Sequence, residues 1–460
     1  MHADNLTDTI AAISTAPGEG AIGIVRLSGK AALRIAGKIF VGQDKIMPAE
    51  FKSYTVHYGK IVDQQAVIDE VILTVMRAPK SYTRQDVVEI NCHGGMLSLV
   101  KILDLVLKHG CRLAKPGEFT LRAFLNGRID LAQAEAVIDI IRAKTAAALK
   151  VSVGQLAGGL SARVNAIRRQ LLDLLVNLEA SIDFPEEGIA FQGQQKLGRD
   201  LSGIDQKLQA LLDGAGQGRI LREGLHVVIC GKPNVGKSSL LNALLKKERA
   251  IVTPVAGTTR DTLEEMIEIR GIPVKIVDTA GILKPRNLIE QKAVRLSRRQ
   301  IQLADLVILL FDASQKLGQQ DLALIKEVKR KKVIAAINKI DLRRRLQKNQ
   351  LKGEFFSVVE LAAKSGKQLG LLEQAIYDFV YQGASSGPEA ILVSNFRHIR
   401  ALGQAQQLVR QLASETNQNL PLEYAVQNLK DACQELDKIL GKDFSADLLE
   451  RIFADFCIGK

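Results

Sequence analysis

The sequence predicts three parts: an α+β N-terminal domain over 1–125, an all-α helical domain in two pieces, 126–217 and 385–460, and an α/β domain, 218–384, inserted between those pieces. Three observations predict this. Strand-like and helix-like stretches alternate as far as residue 125, apolar residues at three- and four-residue spacing lie on both sides of 218–384, and an apolar strand at His226–Cys230 runs into a glycine-containing loop and then a helix. The length of 460 residues fits about three domains at roughly 150 residues each.

In the N-terminal part, Thr9–Ile13, Ala21–Leu27, Val67–Met76 and Val87–Asn91 are β-rich, and Leu97–Leu107 has helical spacing that stops at Gly110. From Asp130 the pattern turns helical. Leu131–Ala148 and Leu160–Ile182 read as helices, the second ending at Asp183-Phe184-Pro185, because proline cannot continue a helix. Asp200–Leu212 reads as a third helix, and Gly214, Gly216 and Gly218 as a linker. Beyond it, strands are expected at His226–Cys230, Val274–Val277, Leu306–Phe311 and Val333–Ile337, the pattern of a doubly wound domain. Gly383–Gly387 reads as a second linker, and helical spacing returns from Ile399 to Phe453.

Composition narrows the classes. Hydrophobic residues are 47% and charged residues 25%, as in globular proteins. Aromatics are 4% and Trp is absent, which argues against single-strand binding by rows of stacking rings. The five cysteines include no C-x-x-C pair, so a reducing cytoplasm fits better than a disulfide framework or a zinc ribbon. Neither a signal peptide nor an apolar run of membrane-spanning length is expected. The net charge of +13 is uneven: Leu322–Lys352 holds eleven Lys and Arg against two acids. That run reads either as an anionic partner surface, RNA included, or as solvated helix faces.

The loop after His226–Cys230 is Gly231-Lys232-Pro233-Asn234-Val235-Gly236-Lys237-Ser238, with a helix expected from Ser239. This is G-x-x-x-x-G-K-S in the strand–loop–helix context that makes it a phosphate cradle. The glycines let backbone N–H groups face phosphate, Lys237 supplies charge, and Ser238 offers a hydroxyl to Mg2+. Asp278-Thr279-Ala280-Gly281 follows at the end of a strand, with Asp278 placed for the magnesium shell and the Gly281 N–H for a γ phosphate. Asn338-Lys339-Ile340-Asp341 then selects guanine, because the Asp341 carboxylate accepts from the ring N–H and the exocyclic amine, an arrangement adenine lacks. Ala362-Ala363-Lys364 is the remaining base contact, through backbone N–H. The order of these motifs identifies a GTP-binding P-loop domain of the Ras-like class.

Ile282 follows Gly281, so no glutamine orients the attacking water there. Asn234 either holds a monovalent cation through its amide oxygen or only shapes the loop. Thr253, Pro254, Val255, Ala256, Gly257, Thr258 and Thr259 form a switch able to close over the same place, where K+ would stabilise charge between phosphates. Thr259 is the second magnesium hydroxyl. Glu290 is the candidate to polarise water, or else a surface acid.

Taken together, these residues resemble the MnmE (TrmE) family of tRNA-modifying GTPases along essentially the whole chain. The resemblance is carried by Asp8–Ala12, Gly23–Gly29, Asp86–Gly95, Pro116–Phe119, Arg122–Asn126, Asp130–Ala136, Ile182–Glu187 and the terminal Phe456-Cys457-Ile458-Gly459-Lys460. It implies nucleotide-dependent pairing of the GTPase domains with K+ at Asn234, Thr253, Val255 and Thr258, and Glu290 as catalytic acid. For the N-terminal domain it implies a constitutive homodimer and a tetrahydrofolate (5-formyl or 5,10-methylene) held by Arg26, Glu89, Arg128 and Lys460. Arg128 departs from the family's usual Lys, keeping charge but not shape. The resemblance further implies an MnmG-type FAD- and NADH-using partner in a heterotetramer or larger complex. Together they would add an aminomethyl or carboxymethylaminomethyl group to carbon 5 of the tRNA wobble uridine, in the cytoplasm. Cys457 reads either as a reactive thiol of that reaction or as a packing residue, and His93 as structural.

Two other functions compete. A ribosome-assembly GTPase would usually carry a second GTPase domain or a KH domain, and the sequence after Gly387 reads as helices instead. A helical scaffold switched by nucleotide gives no reason for the Pro116–Phe119 region or the Cys-Ile-Gly-Lys end.

Overall fold

In a computed structural model, which describes residues 7–183, 194–247, 264–278, 298–351, 355–381, 392–415 and 421–460, the chain divides into two units. The first comprises 1–138, 156–164 and 436–460, and the second 139–155 and 165–435.

The first unit is built on a seven-stranded sheet. Its strands are β1 (Ile10–Ile13), β2 (Gly20–Ser28), β3 (Phe40–Gly42), β4 (Thr55–Asp63), β5 (Ala66–Met76), β6 (Val87–Gly94) and β7 (Arg112–Leu113), in the order β3-β4-β5-β6-β2-β1-β7. All pairs are antiparallel except β1 with β7. Alternation buries Val25 and Leu27 of β2, and Val88 and Ile90 of β6, against Ile35 and Ile39 of the helix Ala32–Ile39 and Leu99 and Ile102 of the helix Met96–Lys108. Four strands match the sequence reading within a few residues, whereas Phe40–Gly42, Thr55–Asp63 and Arg112–Leu113 are additional.

The C-terminal residues complete this unit. Phe453 and Phe456 enter a core with Leu121, Phe124, Ile129 and Leu131. Gly459, at φ +92°, is where a Cβ would lie 2.4 Å from the Ile13 carbonyl oxygen, so only glycine lets the tail reach β1. Ser14 Oγ donates to the Gly459 carbonyl at 3.1 Å, and the Phe119 N–H to the Lys460 carbonyl at 3.2 Å.

The second unit carries a six-stranded sheet of β8 (Leu225–Gly231), β9 (Glu264–Ile269), β10 (Ile272–Asp278), β11 (Leu306–Asp312), β12 (Val333–Asn338) and β13 (Ser357–Glu360), in the order β13-β12-β11-β8-β10-β9. Only β9 runs antiparallel. Residues along β8 and β11 alternate between two cores. Val227, Ile229, Ile308 and Leu310 meet the helices Lys237–Lys247 and Leu369–Tyr381, while Val228, Cys230, Leu309 and Phe311 meet Leu324 and Val328 of the helix Gln319–Val328. Both faces are covered, as a doubly wound sheet requires. The helices Gln194–Asp213 and Phe396–Glu415 pack side by side in the same unit. Gln406 Nε2 donates to Asp205 Oδ1 at 2.8 Å, and Arg410 Nη2 to Gln209 Oε1 at 2.7 Å.

Two features differ from the sequence reading. Gly214, Gly216 and Gly218 are not a linker: Ala215–Glu223 is a helix. A Cβ on Gly218 would lie 2.4 Å from the Val393 carbonyl oxygen and one on Gly214 2.8 Å from Leu392, so these glycines admit the returning chain against the helix. The helix expected over Leu131–Ala148 also stops at Arg142, and a new one runs Ala146–Leu156. Thr145 Oγ1 accepts from the Ala148 N–H at 3.2 Å, which caps the second helix at its start. The proposed linker Gly383–Gly387 and the stop at Phe184-Pro185 lie outside the described residues.

Candidate functional site

The phosphate loop joins β8 to the helix Lys237–Lys247. Gly231 (φ +154°) and Gly236 (φ +102°) both have backbone conformations closed to ordinary side chains. A Cβ on Gly231 would lie 2.8 Å from the Leu310 carbonyl oxygen, and one on Gly236 2.3 Å from Asn338 Nδ2. Asn234 is also left-handed, at φ +63°, and exposed. Val235 is buried and fastens the loop to the domain core. Lys237 Nζ donates to the Gly231 and Lys232 carbonyls, each at 3.0 Å, which sets its charge at the loop mouth. Ser238 and Ser239 are exposed in the first turn of the helix, whose N-terminal dipole adds to the loop's affinity for anions.

Asn338 binds the two halves of the site together. Its side chain, 2% exposed, donates from Nδ2 to the Val235 carbonyl at 2.8 Å and accepts at Oδ1 from the Ala363 N–H at 2.9 Å. Lys339 (φ +64°) sends its ammonium to the Asn234 carbonyl and to Asp312 Oδ2, both at 2.7 Å. Burial pushes the Asp312 carboxyl up, but the bonds from Lys339 and Ser314 outweigh this and leave it below its ordinary value, so the pair is charged. Asp341 is exposed beyond this pair. Of the base loop, Ala362 donates its N–H to the Lys367 carbonyl, Ala363 to Asn338 as above, and Lys364 is exposed. Asp312, and Lys232 with its 2.6 Å ion pair to the buried Asp321, were not singled out from sequence. The available signal was an acid at the C-terminal end of a central strand, where doubly wound folds place ligands.

Asp278 ends β10, in register with Ile229. Thr253, Pro254, Val255, Ala256, Gly257, Thr258, Thr259, Thr279, Ala280, Gly281 and Glu290 lie outside the described residues. In the basic stretch, Lys331 donates to the Gln302 and Ala304 carbonyls and Arg344 pairs with Glu360 at 3.3 Å. Lys329, Arg330, Lys332, Arg343 and Arg345 are exposed.

The first unit holds a second cluster. Arg26 Nε pairs with Glu89 Oε1 at 2.7 Å, its Nη1 donates to the Gly459 carbonyl at 3.1 Å, and its guanidinium lies 5.6 Å from the Phe119 ring centroid. The tail bond puts Lys460 beside this pair, and its own carbonyl holds the start of the helix Glu118–Leu125. Arg128 lies over the Tyr82 ring at 4.7 Å, and burial pushes the Tyr82 phenol up against the opposing Thr120 hydrogen bond and the charges of Arg128 and Arg26. Cys457 is exposed, whereas the other four cysteines are buried. Burial pushes the Cys92 thiol up to about 11 and Cys111 to about 12, which leaves both protonated near neutrality.

His93 on β6 is exposed and pairs with Asp69 of the adjacent strand β5. Its Nδ1 lies 2.6 Å from Asp69 Oδ1, while Ser98 Oγ donates to Asp69 Oδ2 at 2.6 Å. The hydrogen bond and charge of Asp69 raise the imidazole above its ordinary 6.5. The pair therefore contributes fully below that value and is lost as pH rises through the raised one. In an NMR titration His93 is expected to titrate above 6.5 and to fall back toward it in Asp69→Asn. An unchanged midpoint would remove the pairing.

Comparison with known proteins gives two family matches: the MnmE helical domain over residues 131–457, and the GTP-binding protein TrmE N-terminus over 9–128. Three relatives, each described as a tRNA modification GTPase MnmE, match nearly end to end. That of Alkaliphilus oremlandii (strain OhILAs) is 44% identical over 459 residues, covering 99% of this chain and 100% of its own. That of Clostridioides difficile (strain 630) is 44% identical over 457 residues, again 99% and 100%. That of Alkaliphilus metalliredigens (strain QYMF) is 45% identical over 460 residues, also 99% and 100%.

Proposed function

This chain belongs to the MnmE family of tRNA modification GTPases, and from that premise we propose that it is a K+-activated GTP hydrolase that helps install an aminomethyl or carboxymethylaminomethyl group at carbon 5 of the tRNA wobble uridine. The observation that carries the GTPase part is Asn338, which ties the phosphate loop to the base loop through two buried hydrogen bonds. Phosphate chain and base are thereby read by one rigid frame.

In this reading the loop N–H groups and the Lys237 ammonium hold the phosphates, and the Lys339–Asp312 pair and the Asn338 amide fix the loop that presents Asp341 to guanine. Asp341 accepts the guanine ring N–H and amine, which sets GTP over ATP. Ser238, Thr259 and Asp278 would hold Mg2+. The exposed carboxamide of Asn234, with Thr253, Val255 and Thr258, would hold K+. These ions would supply electrostatic stabilisation of charge developing between the phosphates. Glu290 polarises the attacking water.

The Arg26–Glu89 pair, mostly buried beside Phe119 and closed by the chain end, suits the amide-and-amine edge of a pteridine ring. We take it, with Arg128 and Lys460, as the tetrahydrofolate site that provides the one-carbon unit, with Cys457 exposed at the same end of the chain. The active form is proposed to be a cytoplasmic homodimer working with an MnmG-type FAD- and NADH-using partner. No helix among the described residues is long and apolar enough to cross a membrane.

The kinetic test is GTP turnover in K+ against Na+. Turnover should rise on the order of tenfold or more in K+. Glu290→Ala should still bind GTP but lose roughly 100-fold in turnover. Equal rates in both salts would remove the cation role, and near-normal turnover the role of Glu290.

A further inference from the structure

Next to the proposed folate residues lies a shallow groove of about 530 Å³, lined by Tyr54, Met76, Pro79, Lys80, Ser81, Tyr82, Arg84 and Arg128. Its lining has three cations and no acid. Asp86, close to the lining in sequence, accepts from the Ala78 N–H at 2.9 Å. Two lining residues, Tyr54 (φ +62°) and Arg84 (φ +58°), hold left-handed backbone that non-glycine residues rarely adopt. Such outliers persist where surrounding bonds fix them and cluster at binding sites. Here Tyr54 Oη donates to the Lys80 carbonyl at 2.7 Å, and Arg84 Nη1 to the Asn126 carbonyl at 3.0 Å, so the cations sit on a fixed wall.

Tyr82, which lines the groove, also borders the small core on which Arg26 rests. The Tyr82 ring lies under Arg128, its hydroxyl bonds Thr120 Oγ1 at 2.9 Å, and it packs against the core of Ile10, Ala12, Ala114 and Phe119, the last of which lies under Arg26. A ligand with its ring at Arg26 and Glu89 would therefore send its far end past Tyr82 into a run of positive charge. In a folate that far end is glutamate, and each added γ-glutamyl unit brings one more carboxylate. We propose that this groove binds the γ-linked oligoglutamate tail, so that the protein selects polyglutamylated tetrahydrofolate over the monoglutamate.

This inference rests on the folate reading above, and the experiment separates the two. Isothermal titration of the full-length protein would compare 5-formyl-tetrahydrofolate as monoglutamate and as pentaglutamate, at low and high salt. The pentaglutamate should bind about fivefold tighter at low salt, the scale of a few exposed ion pairs, and the gap should close as salt screens them. Lys80→Glu, whose side chain is exposed and only its carbonyl engaged by Tyr54, should fold normally and shrink the gap to within about twofold. Equal affinity for both forms in the unaltered protein, or a gap that survives in Lys80→Glu joined to Arg84→Gln, would overturn the tail groove and leave the folate site standing. Binding of neither form would overturn both.

Discussion

Gly236→Ala is expected to weaken GTP binding by roughly 100-fold, about 2.7 kcal/mol. The new Cβ would lie 2.3 Å from Asn338 Nδ2 on a residue at φ +102°. A flexible side-chain tip would swing away at little cost. Asn338 is not flexible, because both ends of its amide are engaged in a buried site, at the Val235 carbonyl and the Ala363 N–H. Moving it leaves buried polar groups without partners, at about 1–3 kcal/mol each, and the backbone strain adds about 1–3 kcal/mol. The effect falls on the phosphate loop and the base loop together. Binding of a fluorescent GTP analogue checks this, with thermal unfolding as control. Affinity within about threefold of the unaltered protein would show that Asn338 does not couple the loops.

Arg122→Met should destabilise the first unit by about 3 kcal/mol or more, the scale of breaking a buried ion pair from one side. Arg122 is 1% exposed, the largest of the fully buried side chains among the described residues. It bonds Asp8, both side chain and carbonyl, Glu118 Oε1 at 2.9 Å and Gln85 Oε1 at 3.2 Å. Burial pushes Asp8 and Glu118 up, but bonds from Arg112 and Arg122 outweigh this and hold both carboxyls below their ordinary values. For groups depressed in this way, the stability they contribute is present above the ordinary carboxylate range and lost as pH falls through the depressed values. The Met variant should therefore suffer most at neutral pH, and its deficit should narrow as pH falls through those depressed values. Urea unfolding at several pH values checks both points. A pH-independent deficit would point to lost packing instead of lost charge pairing.

The nucleotide site was legible in the sequence because its chemistry demands contiguous residues. Gly231 to Ser238 must be neighbours to wrap one phosphate chain, and Asn338 to Asp341 must follow one strand end. The alternating apolar strands around them were legible for the same local reason. Less legible were features decided by a partner distant in sequence. Gly218 looks like a linker residue until Val393 is found against it, and only then does its lack of a side chain explain a helix. Strand Thr55–Asp63 buries Gly59 and Ile61 but exposes Val56 and Tyr58, so its apolar residues do not mark a single inward face, and the missing Cβ of Gly59 accommodates the distant Val41 carbonyl oxygen. Asp312 reads as an ordinary strand end until Lys339 reaches it. The Cys-Ile-Gly-Lys end was marked by resemblance, but its docking on Ile13, Ser14 and Arg26 is a tertiary fact that no local pattern contains.

Whether this GTPase serves covalent tRNA modification is decided by nucleoside mass spectrometry of bulk tRNA from cells with and without the chain. Loss of 5-aminomethyl-type uridines is expected without the chain, restored by the intact protein and not by Lys237→Ala. An unchanged nucleoside profile in cells lacking the chain would contradict it.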